Sequence, residues 1–310
     1  MSKNNTVRVV APATVANLSC GFDVMGLAVE KPGDIAEMTL AGNGVVIKAI
    51  HGDGGLLPAE AAANTAGVAV LEFLKAQKLS VGIEIILHKN LPLGSGMGSS
   101  AASAVAAVTG ANYLVGSPLT REELLPFVME AERIACGAAH ADNAAPCLMG
   151  GLILVRHTEP LDLISIPTPK ELTCVLVHPD IEVKTRDARK VLKDTLSLKN
   201  GILQWANTAA LVAGMMKADY DLIGRALTDV VAEPTRSILI PNFEKIKEAA
   251  RLGGALGCGI SGSGPAIFCL CRGIAAAQTA GQAIQQEFEA MGIHGETYVS
   301  FVNTQGAIIF

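Results

Sequence analysis

The residues with the clearest chemical potential form one short run, Leu93-Gly94-Ser95-Gly96-Met97-Gly98-Ser99-Ser100. Gly94, Gly96 and Gly98 alternate there with small residues, and glycine lets the backbone take positive φ and bring peptide N–H groups to an anion without a side chain in the way. The run leads directly into Ala101-Ala102-Ser103-Ala104, which favours a helix. A helix beginning at Ser99 adds free N–H groups and a partial positive end, and the two together make an anion site whose natural occupant is phosphate. The run lacks the Gly-Lys-Ser/Thr ending of a P-loop and the longer setting of a dinucleotide fingerprint, so neither template applies. A flexible turn ahead of a tightly packed helix explains the same residues, and the run alone leaves both readings open.

The frame that must position this loop is mixed. Residues 7–10 and 83–87 are of strand length and composition, and residues 64–78 space Val68, Leu71, Phe73 and Leu74 as a helix does. Thr120-Arg121-Glu122-Glu123 has capping-box form and announces a helix carrying Glu130 and Glu132, with Pro126 expected to bend or delay it. Residues 152–155 read as a strand, and Ile166-Pro167-Thr168-Pro169 marks a boundary. We therefore expect a first lobe over residues 1–167 and a second over 168–310. The second opens with a buried strand at 173–177 and continues through helices around 186–196, 203–216 and 243–252. It ends with strands at 266–271, 298–302 and 307–310, the first two separated by an Ala-rich helix over 275–291. That alternation predicts an α+β protein with a ferredoxin-like second lobe.

Composition narrows the partners. The chain has 310 residues, half of them hydrophobic and 17% charged, with a net charge of -5 and no cluster of Lys and Arg. That balance gives no electrostatic footprint for nucleic acid or an anionic membrane, and a small molecule is the expected partner. No apolar run reaches the length of a spanning helix, and the polar start Met1-Ser2-Lys3-Asn4-Asn5-Thr6 lacks the core of an export signal, so a cytoplasmic protein is expected. The seven cysteines show no Cys-x-x-Cys pair or His-spaced cluster and read as reduced, mostly buried thiols, with Cys269 and Cys271 on one face of a strand.

The segment Pro92-Leu93-Gly94-Ser95-Gly96-Met97-Gly98-Ser99-Ser100-Ala101-Ala102 resembles the central motif of the GHMP kinases, with Met97 in place of the usual Leu. Pro12-Ala13-Thr14-Val15-Ala16-Asn17-Leu18-Ser19-Cys20-Gly21-Phe22-Asp23 resembles the N-terminal motif of the homoserine-phosphorylating branch. Val15 stands where Ser is usual, and Ser19-Cys20 replaces a usual Gly-Pro. Gly257-Cys258-Gly259-Ile260-Ser261-Gly262-Ser263-Gly264-Pro265 resembles the third motif, a glycine loop over the nucleotide. The three blocks span essentially the whole chain. The resemblance implies a first lobe like domain 2 of ribosomal protein S5, a ferredoxin-like second lobe, and an active site between them.

It also implies roles. ATP would lie on residues 92–102 and on Ser261, Gly262, Ser263 and Gly264, with Asn64 and Lys89 on the adenosine side. His140-Ala141-Asp142-Asn143-Ala144-Ala145-Pro146, by itself a polar turn, matches the His-x-Asp-Asn-x-Ala-Pro of the homoserine branch. L-Homoserine is a zwitterion with a primary hydroxyl, so its pocket needs cations for the carboxylate and an acceptor for the ammonium. Arg186 and Arg236, whose guanidinium forks suit a carboxylate, match the first task. Asn17 and Asp23 match the amino-end contacts, His140 a wall of the pocket, and Asn143 the group that orients the hydroxyl. Ser100 and Glu132 match the Mg²⁺ ligands, both hard oxygen donors; Glu130, two residues from Glu132 on a helix, should face elsewhere. Some members take the acceptor's proton with an Asp-Lys pair, but the first motif here offers no Lys. Asn143 and Asp23 are then the catalytic candidates, orienting a hydroxyl whose proton leaves late, to the transferred phosphate. The implied activity is transfer of the γ-phosphate of ATP in threonine biosynthesis, by a protein that the family leads us to expect as a homodimer. Two alternatives stand beside it: a GHMP kinase acting on mevalonate, shikimate or a sugar, and a non-catalytic nucleotide-binding regulator on the same fold.

Overall fold

The computed structural model describes residues 5–137, 141–181, 188, 191–193 and 195–310. Strands β1 (Thr6–Ala16), β2 (Met25–Leu40), β3 (Val45–His51), β4 (Ile83–His88), β5 (Leu152–Thr158) and β6 (Leu161–Ile166) belong to a first sheet. Strands β7 (Leu172–Pro179), β8 (Ala255–Ile260), β9 (Ile267–Arg272) and β10 (Gly295–Phe301) form a second. The last strand, β11 (Ile308–Ile309), returns to the first sheet and pairs with Val9 and Val10 of β1. The expectation of a final strand in the second lobe is corrected by this pairing: Arg121, from the first lobe, draws the tail back by donating to the carbonyls of Leu148, Gln305 and Ala307. Arg121→Ala is expected to lower stability by about 1–2 kcal/mol for the lost charge-assisted bonds. Urea denaturation would measure it, and a loss of only a few tenths would mean that the tail adds nothing.

The first sheet runs in the order β11-β1-β2-β4-β3, with β5 pairing β2 and β6 pairing β5; only β3 and β4 are parallel. Helix α2 (Ser99–Leu114) packs on β1 and β2, and α1 (Thr65–Ala76) and α3 (Arg121–Cys136) pack on α2. α2 has almost no polar face because it is buried nearly all round, and its Ala, Ser and Gly side chains allow close approach. At Gly110, for instance, a Cβ would stand 2.4 Å from Met38 Sδ. The capping box of α3 forms between Thr120 and Glu123, and the helix runs from Arg121 through Pro126 rather than starting late. α4 (Ala141–Met149) turns the expected polar turn into a helix that lies on β1 and β2.

The second sheet has the order β10-β7-β9-β8, all antiparallel, with α8 (Phe243–Leu252) and α9 (Ile274–Glu289) on one face. This is the ferredoxin-like arrangement expected from the sequence. Its other face meets the first lobe and α5 (Leu198–Lys217), α6 (Tyr220–Ala226) and α7 (Glu233–Arg236) complete the chain between β7 and β8. Burial on both faces explains why β7 and β9 read as continuous apolar runs: Val175, Val177, Cys269 and Cys271 face the helices, whereas Cys174, Leu176, Phe268 and Leu270 join the core that continues into the first sheet. Among the described residues, Cys20, Cys147, Cys174, Cys258, Cys269 and Cys271 are buried and free. Among the described residues no helix is long and apolar enough to cross a membrane.

Candidate active site

The glycine run adopts the conformation its composition allows. Gly94, Gly96 and Gly98 have φ of 66°, 78° and 73°, and each positive φ serves a different contact. A Cβ on Gly94 would meet nothing, so that peptide opens to the cleft, whereas one on Gly96 would stand 2.3 Å from Ser261 O and one on Gly98 2.2 Å from Thr14 Oγ1. The loop is thus clamped between two other segments. Ser261 Oγ donates to Gly96 O at 2.8 Å, Ala266 N to Ser95 O at 3.0 Å, and Thr14 N to Met97 O at 3.1 Å. Gly98 is the N-cap of α2, so the first amides of that helix face the same space as the loop.

Beneath the loop lies a buried ion pair. Lys89 Nζ is paired with Asp34 and donates to Ser99 O at 2.9 Å and Ser103 Oγ at 2.7 Å. Asp34 also accepts from the amides of Asn90 and Leu91, both at 2.9 Å. Burial pushes the Asp34 carboxyl up and the Lys89 ammonium down, each opposed by the other's charge. All three ammonium protons have partners: Lys89, expected on the adenosine side, lines the cleft and fastens the first turn of α2 to β2 and β4. Asn64 is similarly engaged, its Oδ1 accepting from Ala66 N at 3.0 Å and its Nδ2 donating to Pro58 O at 2.9 Å. It holds the wall formed with Leu57, Pro58 and Ala63.

At the opposite end, the pairing of β1 with β2 shifts register between Pro12 and Thr14, and Thr14 Oγ1 donates to Asn143 Oδ1 at 2.7 Å. Asn143 is thereby fixed with its Nδ2 as the donor left for a ligand. After β1 the chain makes a left-handed turn, with φ of 73°, 44° and 58° at Asn17, Leu18 and Ser19 and 57° at Asp23. Asn17 holds it from both sides: Oδ1 accepts from Asp23 N at 3.0 Å, and Nδ2 donates to Gly262 O at 3.0 Å. Arg236 is buried, donates through Nη1 to the same Gly262 O at 2.8 Å and through Nε to Ala188 O at 3.1 Å, and lies 5.3 Å over the ring of Phe22. Asp23 is exposed at the rim.

These ends share one cleft of about 410 Å³. Asn17, Asp23, Asn64, Lys89, Leu93, Gly94, Ser95, Gly96, Gly98, Ser99, Ser100, Glu132, Asn143, Arg236, Gly262 and Ser263 all line it. Pro92, Met97, Ala101, Ala102, Ser261 and Gly264 do not line it; Met97, Ala101, Ala102 and Ser261 are buried behind it and fix its shape. The third motif is half strand, its residues 257–260 belonging to β8, so only the loop from Ser261 onward faces the cleft. His140 and Arg186 lie outside the described residues, as do 187, 189, 190 and 194 of the helix expected over 186–196; of its described residues Ala188 is helical and 191–193, 195 and 196 are not, which corrects that helix's expected end. Asp142, Thr65 and Ser103 also line the cleft and were not singled out from sequence. Asp142 stood inside the quoted block, and its charge was the available signal; Thr65 and Ser103 carried none.

Glu132 closes the cleft's wall. Burial pushes its carboxyl up to about 7, against the pull of a hydrogen bond from Ser100 and the charge of Lys89. Glu130 is turned away and paired with Arg133, as helical spacing required. A buried carboxylate bonded to a hydroxyl beside an anion loop is a hard-oxygen donor set that fits Mg²⁺.

Comparisons with known proteins give the family and the fold. The profile of the GHMP kinases N terminal domain matches residues 64–151, and that of the GHMP kinases C terminal region matches residues 211–290. Homoserine kinase of Chloroherpeton thalassium is 50% identical over 311 residues, covering 96% of this chain and 98% of its own. That of Chlorobaculum tepidum is 49% identical over 317 residues, covering 98% of each. The crystal structure of homoserine kinase from Cytophaga hutchinsonii superposes with a TM-score of 0.97 at 49% identity, covering 100% of this chain and 99% of that one. L. major mevalonate kinase, at 18% identity and a TM-score of 0.69 over 96% of this chain and 95% of its own, shares the fold.

Proposed function

Because the chain belongs to the homoserine kinases of the GHMP family, ATP-dependent enzymes that phosphorylate the hydroxyl of homoserine, we propose a division of its cleft into a nucleotide end and an acceptor end. Residues 94–100 and the first turn of α2 receive the phosphates, and Leu57, Pro58 and Asn64 wall the adenosine. Arg236, with Arg186, takes the homoserine carboxylate; Asp23 at the rim takes the ammonium, and Asn17 sets the turn that presents it. With the lobe boundary at 167/168, the first lobe supplies the nucleotide end together with Asn17, Asp23 and Asn143, and the second brings Arg236 and the loop from Ser261 to them.

The observation that carries this reading is the Thr14–Asn143 bond directly beneath Gly98, because it supports placing the group that orients the hydroxyl beside the loop that positions the γ-phosphate. Phosphoryl transfer through a loose transition state depends chiefly on such alignment. With Oδ1 occupied by Thr14, Asn143 donates from Nδ2 to the acceptor oxygen, leaving a lone pair for attack. The hydroxyl proton leaves late, to the transferred phosphate, so no strong base is needed. Ser100 and Glu132 would hold Mg²⁺, which neutralises phosphate charge when bound. Ser261 and Asn17 keep the third loop closed on the phosphate loop.

The test is ADP release by the purified protein with ATP, Mg²⁺ and, in parallel, homoserine, mevalonate, shikimate or galactose. Turnover with homoserine alone is expected; turnover with another acceptor in preference would sink the acceptor assignment. Arg236→Ala is expected to raise the homoserine KM by the equivalent of about 1.5–3 kcal/mol, the worth of a charged hydrogen bond, and the ATP KM far less. Equal rises in the two would mean that Arg236 shapes the cleft rather than holding the carboxylate.

A further inference from the structure

Behind the acceptor end lies a second, smaller space that the proposed chemistry does not use. It has a volume of about 10 Å³ and is bounded by Asn17, Ser19, Asp229, Glu233, Arg236 and Gly262. Two of its oxygens, Ser19 Oγ and Glu233 Oε2, are buried without a hydrogen-bond partner. They face one another's space: a Cβ placed on Gly259 would stand 2.3 Å from Ser19 Oγ and 3.3 Å from Glu233 Oε2. Ser19 is 3% exposed and has a left-handed backbone, so its hydroxyl is held there by the turn. The other Glu233 oxygen is committed to Lys247 of α8. Orphaned buried oxygens cost free energy, and a small space with polar groups on its wall beside Ala232 and Ile260, with room for about one probe sphere, is the kind that takes a single water.

The surrounding contacts show what such a water would join. Glu233 begins α7, the four-residue helix that ends in Arg236. Asp229 fixes the approach to that helix, accepting from Val231 N at 2.7 Å and Glu233 N at 2.8 Å. On one side, Gln204 of α5 already ties this segment to the turn, donating to both Asp229 Oδ1 at 3.0 Å and Cys20 O at 2.9 Å. On the other side Arg236 lies over the Phe22 ring and shares Gly262 O with Asn17, and the space between Ser19 and Glu233 lies beside those contacts.

We propose that this space holds one water bridging Ser19 Oγ to Glu233 Oε2, and that Ser19 and Glu233 are thereby positioning residues for the acceptor end. The water donates to the Glu233 carboxylate and joins the Ser19 hydroxyl, so the turn bearing Asn17 and Asp23 and the helix bearing Arg236 move as one body. The inference rests on the assignment of Arg236 to the homoserine carboxylate.

Ser19→Gly is the informative variant, because glycine relieves the left-handed backbone while removing the hydroxyl. Its melting temperature is expected to stay at or above that of the parent, while the homoserine KM rises three- to tenfold and the ATP KM stays within twofold. A purely structural serine would leave both KM values unchanged, and that result would overturn the inference. Glu233→Gln combined with Ser19→Gly should be no worse than the worse single variant; multiplying effects would show two independent roles and also overturn it. A high-resolution crystal structure of the parent should show one density peak between the two oxygens, and a dry space would refute the bridge. Arg236→Ala separates the two levels of the argument. If it raises the homoserine KM and Ser19→Gly does not, only this inference fails; if neither does, the acceptor assignment itself is wrong.

Discussion

Lys89→Met is expected to cost about 3–5 kcal/mol of folding stability, the usual consequence of removing one partner of a buried ion pair. The side chains of Lys89 and Asp34 are 1% and 2% exposed, so neither charge can recover solvation when the other is lost. Methionine fills the volume of the lysine stem, which leaves the stranded Asp34 carboxylate as the main source of the loss. That carboxylate retains only the amides of Asn90 and Leu91, and the first turn of α2 loses the donor on Ser99 O and Ser103 Oγ. Urea denaturation should show a lower midpoint with an unchanged slope. The double variant Asp34→Asn with Lys89→Met should recover more than half of the loss, because the uncompensated charge has gone. A single-variant loss below about 1 kcal/mol, far under the cost of stranding a buried charge, would return Lys89 to the role of a nucleotide contact.

Glu132→Gln is expected to act in opposite directions on activity and on stability. With the amide in place of a ligating carboxylate, turnover should fall by about 10²–10³-fold, the scale of losing one preorganised electrostatic element in a closed site. The metal-free protein should at the same time become more stable. Burial holds the Glu132 carboxyl near 7, above its ordinary value of 4.5. Between those two pH values the folded chain keeps a proton that the unfolded chain has released, so the group's contribution to stability falls as pH rises through that window. Glutamine removes the dependence, and the gain over the parent above pH 7 should be about 1–3 kcal/mol. Denaturation of metal-free protein at pH 5 and pH 8, beside turnover with Mg²⁺ present, measures both arms. A variant that loses activity and stability together would mark Glu132 as structural.

The glycine loop was legible because its requirement is local: positive φ at Gly94, Gly96 and Gly98 is written in those residues themselves, and α2 follows from the small residues after it. The capping box of α3 was legible for the same reason. The role of Lys89 was not, because its partner Asp34 lies 55 residues earlier, on a strand whose apolar pattern does not announce it, and a lysine beside a glycine loop reads equally well as a ligand or as a brace. β2 escaped notice because Pro32, Gly33 and Asp34 interrupt its apolar pattern, although it runs for 16 residues. Its middle carries the carboxylate that steadies the loop, so the interruption and the function are one feature. Arg236 and Asn143 were found through the quoted blocks rather than through any periodicity; what no spacing could reveal was that Gly262 O would gather both Asn17 and Arg236 on one carbonyl.

The return of β11 to the first sheet has a mechanical consequence. The second lobe leaves the first after Ile166 and comes back before Ile308, so it is anchored at two crossings instead of hanging from one linker. The second crossing is itself braced, with Asn303 N donating to Ala28 O and Asn303 Oδ1 accepting from Gln305 N and Gly306 N. A body pinned at two points and packed along a shared core can neither slide nor twist freely against its partner. Arg236 and the Ser261 loop are therefore held relative to the phosphate loop by two chain crossings as well as by the core that the two sheets share.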